Sequence, residues 1–125
     1  MKKFEFPYED LDVFRLSREL VKEVYGLLPK FPNEERFALC DQLRRAVISI
    51  PSNIAEGFGR SSVKERKYFF VVVYGSLTEV HCQLQIACDL GYITEEDFRQ
   101  AKEEIVRVAQ MLIGLRKSAH KWVQP

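Results

Sequence analysis

The middle of the chain carries the side chains best suited to binding chemistry, because its basic residues outnumber its acidic ones. Residues 42–68 contain the acids Glu56 and Glu65 and six basic residues, which are Arg44, Arg45, Arg60, Lys64, Arg66 and Lys67. Guanidinium and ammonium groups pair with nucleic-acid phosphates, and an assembly of several subunits would add their electric fields. The whole chain has a formal net charge of only +1, so the alternative interpretation is a solvated charged face without a ligand.

The histidines and cysteines form no recognisable catalytic or metal-binding motif. Glu79 and His81 are separated by one residue, whereas the di-iron sites of helical bundles need Glu-x-x-His. Cys82 and Cys88 lie six positions apart, which is not the spacing of a zinc-binding pair on one helix. The sequence also lacks a Gly-x-x-x-x-Gly-Lys phosphate loop. We therefore predict no enzymatic activity, metal, cofactor or small-molecule substrate.

The composition is typical of a single domain built from solvated helices. Of the 125 residues, 46% are hydrophobic and 30% are charged. Three cysteines without CxxC spacing argue against a disulfide framework and favour a reducing compartment. No apolar segment follows the charged N-terminus, and the longest apolar run, residues 69–74, is too short to cross a bilayer. We expect a cytoplasmic protein without a membrane partner.

Hydrophobic periodicity predicts an all-α protein with four amphipathic helices. Apolar residues recur every three or four positions at about residues 10–28, 34–57, 63–90 and 95–118. The predicted connections are short, and short connections make consecutive helices antiparallel neighbours. The sequence therefore predicts one up-and-down four-helix bundle over residues 1–125, with short N- and C-terminal tails.

Local signals predict where these helices begin and bend. Asn33 is a suitable N-cap for the second helix, and Phe37 continues its apolar seam in phase. Pro51 lies inside that seam, where it removes one backbone hydrogen bond and should kink the helix. Ser62 and Glu65 have the spacing of a capping box at the start of the third helix.

The third helix contains a segment that is apolar on every side. Residues 68–77 are apolar or small at almost every position, whereas a helix in an isolated bundle buries only one stripe. Large exposed apolar patches are uncommon on monomers, so we expect a subunit interface formed by Tyr68, Phe69, Phe70, Val72, Val73 and Tyr74. The alternative is a monomer that tolerates a few exposed aromatic residues.

Five segments resemble the 23S rRNA intervening sequence protein family. They are YEDLDV at 8–13, FPNEERF at 31–37, QLRRA at 42–46, SIPSNIAEG at 49–57 and GSLTE at 75–79. The resemblance implies a bacterial four-helix bundle that assembles into a homopentameric ring, with no established enzymatic activity. A related protein, the accessory protein of diversity-generating retroelements, works with a reverse transcriptase and nucleic acid.

The same segments contain polar residues that we interpret as one cluster, formed by Gln42, Ser49, Asn53, Glu56, Ser76 and Glu79. Our hypothesis is that this cluster determines the bend of the second helix and the geometry of the ring. In the functional alternative, Asn53, Glu56 and Arg60 line a binding surface.

The sequence as a whole favours a non-catalytic binding or scaffold protein. In the leading version, a homo-oligomer engages RNA or an RNA-handling protein through basic surfaces around Arg44, Arg45, Arg60, Lys64 and Lys67. In the rival version, the protein is a protein–protein adaptor with no affinity for nucleic acid.

Overall fold

The computed structural model describes residues 3–118, and this part of the chain folds into four α-helices without β-strands. The helices are α1 (Asp12–Leu27), α2 (Leu39–Phe58), α3 (Val63–Asp89) and α4 (Glu95–Lys117). Short 3-10 turns occur at Pro7–Asp10, Leu28–Lys30 and Asn33–Glu35. Helices α1 and α3 each pack on both α2 and α4, so α1 and α3 occupy opposite corners. The predicted all-α four-helix bundle is confirmed.

The periodic apolar residues of all four helices meet in one core. Helix α4 shows the pattern most simply, because its buried residues Ala101, Ile105, Val108 and Leu112 are separated by three or four positions. The largest fully buried side chain is Phe70 of α3. Removing a side chain of this kind from water contributes roughly 1.5–3 kcal/mol, so core burial is the main stabilising term.

Side-chain caps begin the last two helices. The Ser62 hydroxyl accepts a hydrogen bond from the Glu65 backbone N–H at 3.0 Å, at the predicted start of α3. Thr94 and Asp97 form a reciprocal capping box before α4, with bonds of 3.0 and 3.1 Å. Between them, Gly91 ends the turn after α3 with a φ of 79°, a backbone angle that favours glycine.

The predicted start of the second helix is wrong. Asn33 does not cap α2 but begins a 3-10 turn, and α2 starts only at Leu39. Ala38 interrupts the helix with φ −117° and ψ −100°. Phe37 is 83% exposed, so it does not belong to the buried seam.

Tertiary hydrogen bonds account for this interruption. The Tyr92 hydroxyl donates to the Glu35 carboxylate at 3.0 Å. The Arg44 guanidinium donates to the Arg36 carbonyl at 2.9 Å. These residues are eight positions apart, whereas backbone hydrogen bonds in an α-helix join residues four apart. These contacts hold the turn before α2 in place. They cannot be predicted from the spacing of apolar residues in this segment.

Helix α2 runs without interruption through Pro51, and the kink there stays a prediction. Helix α2 meets α3 closely at Gly57, which is buried. A Cβ atom built on Gly57 would lie 2.7 Å from the Phe69 Cβ. Since real Cβ atoms do not approach so closely, glycine is required there for the two helices to pack.

We expect Gly57→Ala to lower the free energy of unfolding by about 1–3 kcal/mol, because the added methyl group must displace Phe69. The matched control is Gly114→Ala in α4, where an added Cβ meets nothing within 4 Å. That substitution should raise stability by about 0.5–1 kcal/mol, as expected for alanine in a helix. Urea unfolding at one protein concentration measures both variants. A Gly57→Ala protein as stable as the wild type would contradict the packing argument.

Candidate functional site

The apolar segment of α3 divides between the core and the surface. Phe70 is 1% exposed and Val73 is fully buried, so the prediction that these two residues form a subunit interface is wrong. Both point into the core because they lie on the face that α3 turns towards the other helices. Tyr68 and Tyr74 are 64% and 51% exposed, whereas Phe69 and Val72 are only half-buried.

The exposed side of α3 carries a single charged residue between positions 68 and 86. We call this surface the outer α3 face. Its exposed residues are Tyr68, Val71, Tyr74, Gly75, Thr78, Glu79, Cys82, Gln85 and Ile86. They span roughly 27 Å of helix. Val71, which is 50% exposed, was not predicted from the sequence, because apolar residues occur on both sides of α3.

One of the six basic residues is structural. Arg66 is only 2% exposed, so its assignment to a binding surface is wrong. Its guanidinium donates to the backbone carbonyls of Arg60 at 2.7 Å and Ser61 at 3.2 Å. These bonds satisfy polar groups of the α2–α3 corner that would otherwise lack partners. The arginine is buried because it ties this turn to α3.

The other five basic residues separate into two groups at opposite ends of α2. Arg44 and Arg45 each pair with Asp41 on the first half of the helix, at 3.8 and 3.5 Å. Arg60 lies about 24 Å farther along, next to the exposed Lys64 and Lys67 at the start of α3. Two basic regions are therefore available, and the structure does not bring the five residues into one patch.

Arg60 has two partners that lower its availability for phosphate. Its guanidinium lies 3.8 Å from the Glu56 carboxylate and 4.9 Å from the Phe69 ring centroid. Glu56 therefore belongs to the α2–α3 corner. The polar cluster predicted to contain it is divided by the structure.

The remaining polar residues form two smaller networks between α2 and α3. The hydroxyl oxygens of Ser49 and Ser76 lie 2.6 Å apart, and the Asn53 amide donates to the Ser49 carbonyl at 2.7 Å. This network joins the two helices beside Pro51. These hydrogen bonds lie within one subunit. The predicted roles of the cluster in ring geometry or in ligand binding therefore stay predictions.

The second network centres on Gln83, which was not predicted from the sequence. Its amide nitrogen lies 3.1 Å from the Gln42 oxygen and 3.3 Å from the Glu79 carboxylate. Gln83 is 7% exposed, and its Oε1 has no hydrogen-bond partner within residues 3–118. A glutamine on a helix is usually exposed, so only the packing reveals this position.

Between α1 and α4, Glu104 is the most unusual acid. Burial raises the pKa of its carboxyl group, and the carboxylates of Glu23 and Glu19 raise it further. Arg107 opposes the shift but does so more weakly. The described part of the chain holds no cluster of histidine, cysteine or acidic residues that could bind a metal. Glu104 therefore makes a like-charge contact with Glu23 and Glu19.

Comparisons with known proteins found a matching family and a solved structure with a similar fold. The model of the 23S rRNA-intervening sequence protein family matches residues 9–114. A solved protein of unknown function from the S23 ribosomal protein family of Bacteroides thetaiotaomicron superimposes with a TM-score of 0.77 at 23% identity, over 84% of this chain and 98% of that chain. That likeness concerns the fold. None of the curated proteins compared with the sequence matches it. Within residues 3–118, no helix is long and apolar enough to span a membrane.

We expect Arg66→Met to lower the free energy of unfolding by about 1.5–3 kcal/mol, since it removes the guanidinium that bonds the Arg60 and Ser61 carbonyls. The matched control is Lys67→Met, one position later and exposed, which should change stability by less than about 0.5 kcal/mol. Chemical denaturation checks both values. Equal stability of the two variants would show that Arg66 does not hold the corner.

Proposed function

We propose that this chain, which belongs to the 23S rRNA-intervening sequence protein family, is a non-catalytic, homo-oligomeric binding protein of the bacterial cytoplasm that engages RNA or an RNA-handling protein. The observation that carries the proposal is the outer α3 face. Val71 and Tyr74 are about half exposed there, and Glu79 is its one charged residue between positions 68 and 86.

A second copy of the chain is the occupant that best fits this face. A surface with a single charged residue can be buried against another copy at a small desolvation cost. Gly75 lies near the middle of the face, and a Cβ built there would meet nothing within 4 Å. Another helix can therefore approach the backbone closely at this point. The family resemblance implies a ring of five copies, in which each outer α3 face would meet a different surface of the next copy.

Assembly would also strengthen the attraction of the basic residues for a polyanion. A single chain is close to neutral, but each copy adds Lys64 and Lys67 on one side of the bundle. The fields of several copies sum at distances within the Debye length, about 8 Å at physiological salt. An oligomer can thus attract a polyanion that one subunit holds weakly.

We expect a Val71→Asp/Tyr74→Asp double variant to lose the oligomer, because burying the added carboxylates in a contact between copies is strongly unfavourable. The matched control is Val106→Asp on α4, at a residue with 42% exposure, which should keep the wild-type mass. Sedimentation velocity gives the mass, and circular dichroism shows whether the helices remain. A wild-type protein that is monomeric at micromolar concentration would contradict the proposal.

We expect the wild-type oligomer to bind RNA with an affinity that falls steeply as salt rises. A Lys64→Ala/Lys67→Ala variant should bind several-fold more weakly, and the slope of log K against log salt should decrease by about 0.7 per lost phosphate contact. Lys102→Ala/Arg107→Ala on α4 is the charge-matched control. Fluorescence anisotropy at several salt concentrations measures both. An oligomer without RNA binding at low salt would instead support the adaptor alternative.

A further inference from the structure

An open groove lies between α1 and α2. It consists of three adjoining clefts of about 470, 530 and 470 Å³. Tyr8, Ser52 and Ala55 line both the first and the second cleft, and Ile48 and Ser52 line both the second and the third. The clefts are therefore continuous, and we call them the α1–α2 groove.

Aromatic side chains form much of its wall. Phe6, Tyr8 and Phe14 follow one another with ring centroids 5.6 and 4.8 Å apart. Tyr25 lines the far end and is 41% exposed, while Phe6 at the near end is 54% exposed. Flat π-faces are thus present at both ends of the groove. Such faces are the usual platforms for stacked bases.

The charged residues along the groove are mostly cationic. Five lining residues are basic, namely Arg18, Lys22, Arg44, Arg45 and Arg60, and two, Glu19 and Glu56, are acidic. A third acid, Asp41, pairs with Arg44 and Arg45 beside the groove. This excess contrasts with the net charge of +1 for the whole chain.

Each of these acids already lies next to one of the bases. Glu19 is 3.9 Å from Lys22, and Glu56 is 3.8 Å from Arg60. Arg18 lies over the Phe14 ring at 5.7 Å. Its positive charge therefore lies beside an aromatic ring. A phosphate could pair with the guanidinium while the neighbouring base stacks on the ring.

We infer that the α1–α2 groove binds a single strand of RNA, with bases on its aromatic wall and phosphates on its arginines and lysines. Because a duplex hides its base faces inside the stack, the exposed rings favour a single strand. An acidic peptide would satisfy the cations but would leave the aromatic faces without stacking partners. This inference rests on the RNA binding proposed above and gives it a site.

The dimensions and position of the groove agree with this ligand. From Arg45 to the end of α2 at Phe58 is about 20 Å, a length that accommodates a short run of nucleotides. Helix α1 lies at the corner opposite α3, so the groove does not overlap the outer α3 face of the same subunit.

The test uses the full chain and a fluorescein-labelled single-stranded RNA of mixed sequence, with the matching duplex as second ligand. Tyr25→Ala should weaken single-strand binding about tenfold, as the loss of one stacked base does, and should change duplex binding little. Tyr25→Phe keeps the ring and should bind like the wild type. Phe37→Ala removes an aromatic residue that is 83% exposed outside the groove and serves as the control.

Each result distinguishes binding in the groove from binding elsewhere on the protein. Loss of binding in Tyr25→Ala with retention in Tyr25→Phe supports the groove, provided that both variants sediment with the wild-type mass. If Lys64→Ala/Lys67→Ala weakens RNA binding but Tyr25→Ala does not, the groove is wrong and the proposed RNA binding stands. If polyglutamate displaces the RNA at equal charge concentration, the groove binds acidic protein segments and the inference fails. If the wild type binds no RNA, both proposals fail.

Discussion

The packing of α2 against α3 is the constraint on which the rest of the structure depends. Gly57 lets the two helices approach until the Phe69 Cβ is 2.7 Å from the place that a Cβ of residue 57 would take. Arg66 then joins the turn between them to α3 through two backbone carbonyls. Both contacts act at the same corner, and α3 turns the face with Phe70 and Val73 into the core. The outer α3 face is consequently left exposed.

The sequence predicts this fold well where one face of a helix is apolar and the other is charged. Helix α4 meets that condition, and its predicted and observed limits agree closely. Helix α3 does not, because apolar residues on all sides conceal which face is buried. Phe70 and Val73 were therefore misassigned, and Val71 could not be singled out. The predicted start of the second helix was wrong because the chain forms a turn there, in which Glu35 bonds Tyr92 and Arg36 bonds Arg44.

Candidate binding residues are harder to predict, because charge alone does not distinguish a solvated side chain from a structural one. Arg66 and Lys67 are neighbours in the sequence, yet one is buried and the other exposed. The groove between α1 and α2 could not be found from spacing, since it combines Tyr8 and Tyr25 with arginines that lie far from them in the sequence. Such a surface exists only once the helices are packed.

The buried arginine at the α2–α3 corner also limits how the chain can vary in length. Surface turns usually accept inserted residues at small cost. At this turn, however, an insertion would carry the carbonyls of Arg60 and Ser61 away from a guanidinium that cannot follow them to the surface. Within residues 3–118, no buried guanidinium holds the turn around Gly91, which closes through backbone hydrogen bonds of its own. A lengthening there would act on a different contact, because Tyr92 beside Gly91 bonds Glu35 at 3.0 Å.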